Sequence, residues 1–244
     1  MRSPLRPLPA VALSALLLAG ACSKRESAGS DAGAPSSIKT EFLTAAAACA
    51  VGRYTEFATA AASLSSAASA YARAPADAAA QAAARRAFQD AYALWQEVEV
   101  MQFGPAAMTG APGAQDKRDP IYSWPLVSRC LVEQNLVLKK YEEPGWVTAA
   151  LVNVKGLGAL EYLLFYDGAD NACPSTATLN SAGTWAALGA TEIQARKAGY
   201  AAAVAEQVRL AAEDLAAAWR PDGGNFEAEL ATAGSGSRVY EDQR

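Results

Sequence analysis

Histidine is absent from all 244 residues of the chain. This absence excludes Ser-His-Asp and Cys-His catalysis, general acid-base chemistry by imidazole, and every metal site with a histidine ligand. Any chemistry must therefore use carboxylate, Tyr, Lys or Cys side chains. The chain also lacks a tract rich in Lys and Arg, and its net charge is −4. Nothing in the sequence therefore indicates a nucleic acid partner.

Alternating runs of Val, Ile and Thr, which are typical of strands, are nearly absent as well. Apolar residues make up 52% of the chain, and Ala, the best helix former, dominates that share. No internal repeat and no sustained heptad pattern is present, so a coiled coil is not indicated. The composition predicts an all-α protein. Short connections between amphipathic segments favour an up-and-down helical bundle.

Pro and Gly residues divide the chain into five predicted helices and a final short segment. The helices are expected at residues 38–72, 78–103, 125–141, 146–166 and 186–219, and the short segment begins at Phe226. Residues 106–124 form a long loop that carries a cluster of charges at residues 116–119. Loops of this length are often functional, although a solvated loop tip is an equal alternative. The last residues, SRVYEDQR, still look helical without a C-cap, which suggests a continuation beyond Arg244.

The first 21 residues have the pattern of a signal peptide, with Arg2 and Arg6 before an apolar run at residues 11–18. The segment LLLAGAC, which ends at Cys22, resembles a bacterial lipobox and predicts a lipid on Cys22 that anchors the protein in the membrane. The small residues 19–21 also fit an ordinary cleavage site that would release a soluble protein. Ser23 after the cysteine resembles the signal for the outer membrane, facing the periplasm.

Residues 22–37 are small, polar and rich in Gly and Ser, so they predict a flexible tether after the lipidated cysteine. Residues 38–244 are expected to form the helical domain. Beyond Cys22, three cysteines remain in an oxidising compartment, so at most one internal disulfide is expected. Cys49 lies in an alanine-rich helix and is expected to be a small buried apolar residue. A disulfide from Cys130 on a helix to Cys173 in a loop is favoured.

The segment VKGLGALEYLLF, residues 154–165, places one carboxylate within an apolar helix. On a helical wheel of the expected helix at residues 146–166, Glu161 shares an arc with Leu151, Val154 and Leu157. The pattern therefore predicts that Glu161 faces a core. A buried carboxylate needs a hydrogen bond, an opposite charge or a metal ion.

Three stretches, in the same order, resemble the imelysin-like family, also described as insulin-cleaving membrane protease-like proteins or peptidase family M75. They are WQEVEVMQFGPA at residues 95–106, RDPIYSWP at 118–125 and GLGALEYLLF at 156–165. The resemblance implies a fold of two helical bundles, of which residues 38–244 match the N-terminal part. It also implies an association with iron uptake or periplasmic binding, and a peptidase activity by the name of the family.

The family signature, Gly-x-His-x-x-Glu on a helix, matches Gly156, Gly158 and Glu161. The resemblance implies that glycine stands at Gly158 where the family has a metal-binding histidine, so one half of the metal pair is missing. A zinc site with histidine ligands is therefore not expected. The resemblance also implies that other acidic and basic side chains lie near Glu161 in one cleft.

These side chains are Glu97 and Glu99 on the second helix and Arg118 and Asp119 in the loop. An ion pair from Arg118 to Glu161 or Glu99 would satisfy the carboxylate without a metal. A site formed by Glu161, Glu99, Glu97 and Asp119 would instead suit calcium or ferric iron, with Arg118 as an anion contact. We expect a non-catalytic binding lipoprotein of the cell envelope, linked to iron uptake. The alternatives are an M75-type metallopeptidase and a purely structural or interaction module.

Overall fold

The computed structural model describes residues 38–241, and the expected signal peptide, Cys22 and the whole of the expected tether lie outside them. Within this range there is no strand, so the all-α prediction is confirmed. The helices are α1 (Ile38–Arg73), α2 (Ala78–Val98), α3 (Arg129–Leu138), α4 (Trp146–Ala149), α5 (Gly156–Phe165), α6 (Thr178–Ser181), α7 (Gly189–Trp219) and α8 (Phe226–Ala231). Between residues 38 and 241, no helix combines the length and the apolar character needed to cross a bilayer.

The bundle is built on α1, which packs mainly against α7 and α2, while α5 packs against α7. The side chains that α1 buries recur every three or four residues, as a helix facing a core requires. The apolar ones are Ala47, Ala50, Tyr54, Phe57, Ala61, Leu64, Ala68 and Tyr71, and Ser65 is buried beside them. The alanines of this face let the helices approach closely, and the aromatic residues fill the remaining volume.

The second helix begins at Ala78, which is the start that the sequence predicted. The carboxylate of Asp77 accepts hydrogen bonds from the amides of Ala79 and Ala80, at 2.8 and 3.3 Å, and so caps α2. The end of α2 at Val98 comes earlier than the predicted residue 103, because the chain tightens into a 3-10 helix at Glu99–Met101. The carbonyl of Met101 then accepts a hydrogen bond from the Tyr54 hydroxyl at 2.8 Å.

The third helix begins later than the prediction at residue 125. Residues 123–126 form a turn, closed by the amide of Leu126 donating to the carbonyl of Ser123 at 2.7 Å. Ser128 then caps α3 by accepting from the amide of Leu131 at 3.4 Å. The helix therefore begins after the capping Ser128 and not at Pro125, although proline favours the first position of a helix.

The predicted continuous helix over residues 146–166 is wrong. The chain forms the short α4, a 3-10 helix at Val152–Val154, and then α5 from Gly156. Gly156 has a φ of +77°, and a Cβ atom there would lie 2.7 Å from the carbonyl oxygen of Ile121. That same carbonyl accepts a hydrogen bond from the amide of Leu157 at 2.8 Å. A contact with a distant loop therefore sets the start of α5.

The long loop that follows α2 is ordered by its own backbone hydrogen bonds. The amide of Asp116 donates to the carbonyl of Ala107 at 3.0 Å, and the amide of Lys117 donates to the carbonyl of Pro105 at 3.1 Å. Lys117 also forms an ion pair with Asp214 on α7. The loop is therefore docked on the bundle at Lys117, while residues 108–112 and Asp116 remain exposed, as the alternative of a solvated loop tip expects.

The end of the described chain is not the helix that its sequence suggests. After α8, the chain turns back so that the amide of Gly234 donates to the carbonyl of Tyr240 at 3.0 Å. Arg238 forms an ion pair with Glu229 at 2.8 Å, and the ring of Tyr240 packs edge-on against Phe226 with 6.0 Å between centroids. These contacts hold residues 234–240 against α8.

Candidate functional site

The end of the long loop is held between α5 and α7. Beside the bond from Leu157 to the carbonyl of Ile121, the side-chain amide of Gln207 on α7 donates to the carbonyl of Pro120 at 2.8 Å. Gln207 is buried, so this bond is shielded from water. The two bonds fix the backbone on either side of residue 121 and thereby position the next side chain, Tyr122.

Tyr122 forms a pair of phenols with Tyr92 of α2. Their hydroxyl oxygens lie 3.1 Å apart, and either can donate. The rings meet edge-on with 5.8 Å between centroids, and the buried Trp95 contacts Tyr122 in the same manner at 6.4 Å. Burial raises the pKa of Tyr122 above its ordinary value, and the hydrogen bond to Tyr92 and nearby negative charges raise it further.

Two of those charges belong to Glu99 and Glu161. Glu99 lies in the 3-10 helix after α2 and Glu161 lies on α5, and the charges of these two predicted site residues both act on Tyr122. Glu97 is directed elsewhere, because its carboxylate lies 3.3 Å from the guanidinium of Arg53 on α1.

Glu161 is exposed, so the prediction that it faces a core is wrong. The buried face of α5 is formed by Leu157, Leu160 and Leu164, and Glu161 falls outside it. The prediction failed because it placed Leu151 and Glu161 on one helix. The helix that carries Glu161 begins only at Gly156, so the direction of Leu151 says nothing about that of Glu161. Leu151 itself is exposed.

Arg118 forms an ion pair with its neighbour Asp119 at 2.9 Å. Within residues 38–241, neither Glu161 nor Glu99 pairs with it, so the predicted ion pair is wrong. The Nε atom of Arg118 is buried and has no hydrogen-bond partner within the described range, and the same holds for the Oε1 atom of Gln207. Arg118 in the loop and Gln207 on α7 therefore each keep one unused hydrogen-bonding atom.

Gly158 lies on α5 against Val127, in the turn before α3. A Cβ atom at residue 158 would come within 3.0 Å of the Cγ2 atom of Val127. Any larger side chain at this position would therefore require Val127 to move. The atoms nearest to this position therefore belong to an aliphatic side chain.

The donor atoms around Tyr122 decide which metal could be held there. Among residues 38–241, no three carboxylate or cysteine side chains converge in an arrangement for a metal ion. A metal at this place would need the phenol oxygens of Tyr92 and Tyr122 in addition to the carboxylates of Glu99 and Glu161. Such a set contains oxygen atoms alone, which fits a hard cation and does not fit zinc.

The family model for imelysin, peptidase M75, matches residues 50–243. The chain belongs to the imelysin family. No curated protein and no solved structure shows a significant match to the chain. The family match includes the loop, the paired phenols and α5, so the candidate site lies within the imelysin region.

A second polar centre of this imelysin domain was not predicted from the sequence. Glu133 of α3 is fully buried and accepts three hydrogen bonds, one each from Arg129 Nε (2.8 Å), the Tyr162 hydroxyl (2.8 Å) and the amide of Ala172 (2.7 Å). The guanidinium of Arg129 also stacks over the ring of Tyr166 at 3.9 Å from its centroid. The carboxylate is therefore satisfied without a metal.

Cys130 and Cys173 form a disulfide, which is the pairing that the sequence favours. It joins α3 to the loop that supplies the amide of Ala172 to Glu133. Cys49, in contrast, is half-buried and is not a free thiol, so its expected role as a small buried apolar residue is wrong.

Proposed function

We propose that this imelysin-family chain is a non-catalytic binding protein of the bacterial cell envelope, anchored by a lipid on Cys22 and linked to metal uptake. The proposed ligand is a hard metal cation, with ferric iron as the first candidate. The observation that carries the proposal is the phenol pair of Tyr92 and Tyr122, on which the charges of Glu99 and Glu161 act together.

The chemistry of these four side chains supports an oxygen-binding cation. Carboxylate oxygens suit calcium, and phenolate with carboxylate oxygens suits ferric iron, whereas zinc prefers nitrogen or sulfur ligands. The negative charges that raise the pKa of Tyr122 are the charges that a cation would neutralise. Tyr122 would then lose its proton more readily, and its phenolate would become a ligand.

The absence of histidine supports a binding role over a peptidase role. A zinc peptidase activates a water molecule with a metal that nitrogen ligands usually hold, and no imidazole is available here. Arg118 is engaged with Asp119, and Glu97 with Arg53, so neither adds to the set around Tyr122.

Location at the outer membrane, facing the periplasm, is part of the same proposal and is supported by the lipobox-like segment that ends at Cys22 and by the serine after it. Growth of the host with labelled palmitate tests the anchor. We expect label in the protein and loss of the label in Cys22→Ala. Release of the unaltered protein without label would contradict the anchor, but it would leave metal binding to be decided separately.

Calorimetric titration of the mature protein with ferric citrate, calcium and zinc tests metal binding. We expect saturable heat with ferric citrate, together with a visible absorption band from phenolate bound to ferric iron. Tyr122→Phe should remove the band, and Glu161→Gln should weaken binding by about tenfold or more. Glu143→Gln, a surface substitution outside the site, is the control and should change neither.

The absence of saturable heat with all three ions would refute the metal proposal. Proteolysis that depends on added metal and is lost in Glu161→Gln would support the peptidase alternative instead. Unchanged binding in both Tyr122→Phe and Glu161→Gln would show that the cation binds elsewhere.

A further inference from the structure

A cleft of about 310 Å³ opens where α1 and α5 end and where α2 and α7 begin. Its lining includes Tyr71 of α1, Gln81 of α2, Leu163 of α5 and Lys197 of α7. None of the residues that line it belongs to the site around Tyr122. The volume is at the lower end of the range for small-molecule sites, so a ligand of a few carbon atoms fits it.

Lys197 is a buried cation in the wall of this cleft, with 4% of its surface exposed. Its ammonium donates to the carbonyls of Tyr166 and Gly168 at 2.8 and 3.0 Å, and it lies 4.9 and 5.0 Å from the ring centroids of Tyr162 and Tyr166. Burial lowers the pKa of Lys197, and the charge of Arg129 lowers it further. Two of its three N–H donors are used, and one is left.

The acidic side chains nearby are already engaged with other cations. Asp167, at the rim, is paired with Arg85 at 2.5 Å, and Asp170 is paired with Arg129 at 3.0 Å. Glu133 is fully buried and holds Arg129 at 2.8 Å. The ammonium of Lys197 therefore has no carboxylate bound to it within residues 38–241.

Tyr71 supplies a second, independent observation. It is 1% exposed, it lines the cleft, and its hydroxyl forms no hydrogen bond within residues 38–241. Among the described residues this hydroxyl is not one of the fully buried polar atoms that lack a partner, so it is open to the cleft, where a ligand oxygen can replace water as its acceptor. The first turn of α7, a helix of 31 residues, also faces the cleft through Ala190, and its dipole favours negative charge.

We infer that this cleft binds a small organic carboxylate, held by the ammonium of Lys197 and the hydroxyl of Tyr71. One remaining N–H and one O–H match the two oxygens of a carboxylate. A phosphate dianion has more charge and more acceptor oxygens than these two donors can satisfy. The apolar side chains of Leu163 and Ile193 line the cleft and provide contacts for a short hydrocarbon chain.

The test is a calorimetric titration of the full chain with butanoate, with butanamide as a neutral compound of the same shape, and with inorganic phosphate. We expect saturable heat with butanoate and none with butanamide or phosphate. Tyr71→Phe should weaken butanoate binding by about tenfold or more, as for the loss of a hydrogen bond to a charged group. Tyr54→Phe removes a hydroxyl from the same helix outside the cleft, and should leave binding unchanged.

Lys197→Met should abolish butanoate binding. Lys197→Met also removes two hydrogen bonds to backbone carbonyls and can unfold the domain. The decisive variant is therefore Tyr71→Phe. The inference is overturned if butanoate gives no saturable heat, if butanamide or phosphate binds as tightly, or if Tyr71→Phe binds butanoate like the unaltered chain. Titration with metal salts reports on the other site, so the two proposals fail separately.

Discussion

Arg129 and Glu133, one turn apart on α3, form an ion pair at 2.8 Å in which the carboxylate is fully buried and the guanidinium is partly exposed. From the sequence this pair resembles an ordinary surface contact between residues i and i+4. In the fold it is the centre of a network that reaches Tyr162 and the loop at Ala172.

Glu133→Ala should therefore lower the free energy of unfolding by about 3–5 kcal/mol, because it leaves the donors around Glu133 without their acceptor. Urea denaturation followed by circular dichroism measures the loss. Glu143→Ala removes an exposed carboxylate that is paired with Lys140, and it should change stability by about 0.5 kcal/mol or less. Equal losses in the two variants would show that the buried network contributes little.

Glycine substitutions should have opposite effects at two positions. Gly156→Ala should destabilise the domain by about 2 kcal/mol or more, because φ is positive and the added Cβ would meet the carbonyl of Ile121. Gly52→Ala, within α1 and with no atom near the added Cβ, should stabilise it by about 0.5–1 kcal/mol. Thermal unfolding of both variants measures the difference. A tolerated alanine at residue 156 would mean that the loop does not hold the start of α5.

Removal of the disulfide should cost about 2–4 kcal/mol of stability, since Cys130 and Cys173 are 43 residues apart and the bond restricts a long loop in the unfolded chain. The double variant Cys130→Ala, Cys173→Ala avoids a new free thiol, and denaturant unfolding measures the change. Ser175→Ala, an exposed change in the same loop, is the control and should stay within about 0.5 kcal/mol. A double variant as stable as the unaltered chain would contradict the prediction.

Alkaline pH should destabilise the domain through its buried tyrosines. Burial raises the pKa of Tyr54 and Tyr200 above the ordinary value, and it raises the pKa of Tyr141 to about 12. In the unfolded chain these groups ionise near pH 10. Their contribution is therefore fully present below about pH 10 and is lost as the pH rises toward the folded pKa.

The lowered pKa values of Lys155 and Lys197 work in the opposite direction, but only up to about pH 10.5, where unfolded lysine loses its proton. Unfolding free energies should therefore be compared between pH 10.5 and 11.5. Tyr141→Phe should make the loss smaller by about 1 kcal/mol over this interval. The same slope with and without the Tyr141 hydroxyl would contradict the role assigned to burial.

Local signals were sufficient for part of the fold. The alanine-rich run predicted α1, and the break that contains Pro75 indicated where α2 begins, although the cap at Asp77 became visible only in the structure. The disulfide was the favoured pairing because a loop beside a helix offers a plausible use for a bridge. These features depend on residues close together in sequence or on the chemistry of one residue type.

The rest depended on contacts between distant segments. The carbonyl of Ile121 contacts Gly156 and Leu157 where α5 begins, and Glu161 lies outside the buried face of that helix. No pattern within residues 146–166 contains the position of Ile121. The meeting of Tyr92 and Tyr122 is of the same kind, since 30 residues separate them. The sequence named Glu99 and Glu161 as site residues, but it could not name the phenol at which their charges meet.

The hydrogen bond from the amide of Leu157 to the carbonyl of Ile121 makes α5 dependent on the loop, because no side chain caps this helix. A peptide of residues 154–166 would lack its acceptor and should not hold the same first turn in water. The hydrogen exchange rate of the Leu157 amide therefore reports whether the loop is docked against α5. A change in loop length that displaced Ile121 should therefore speed the exchange of this proton without altering any residue of α5.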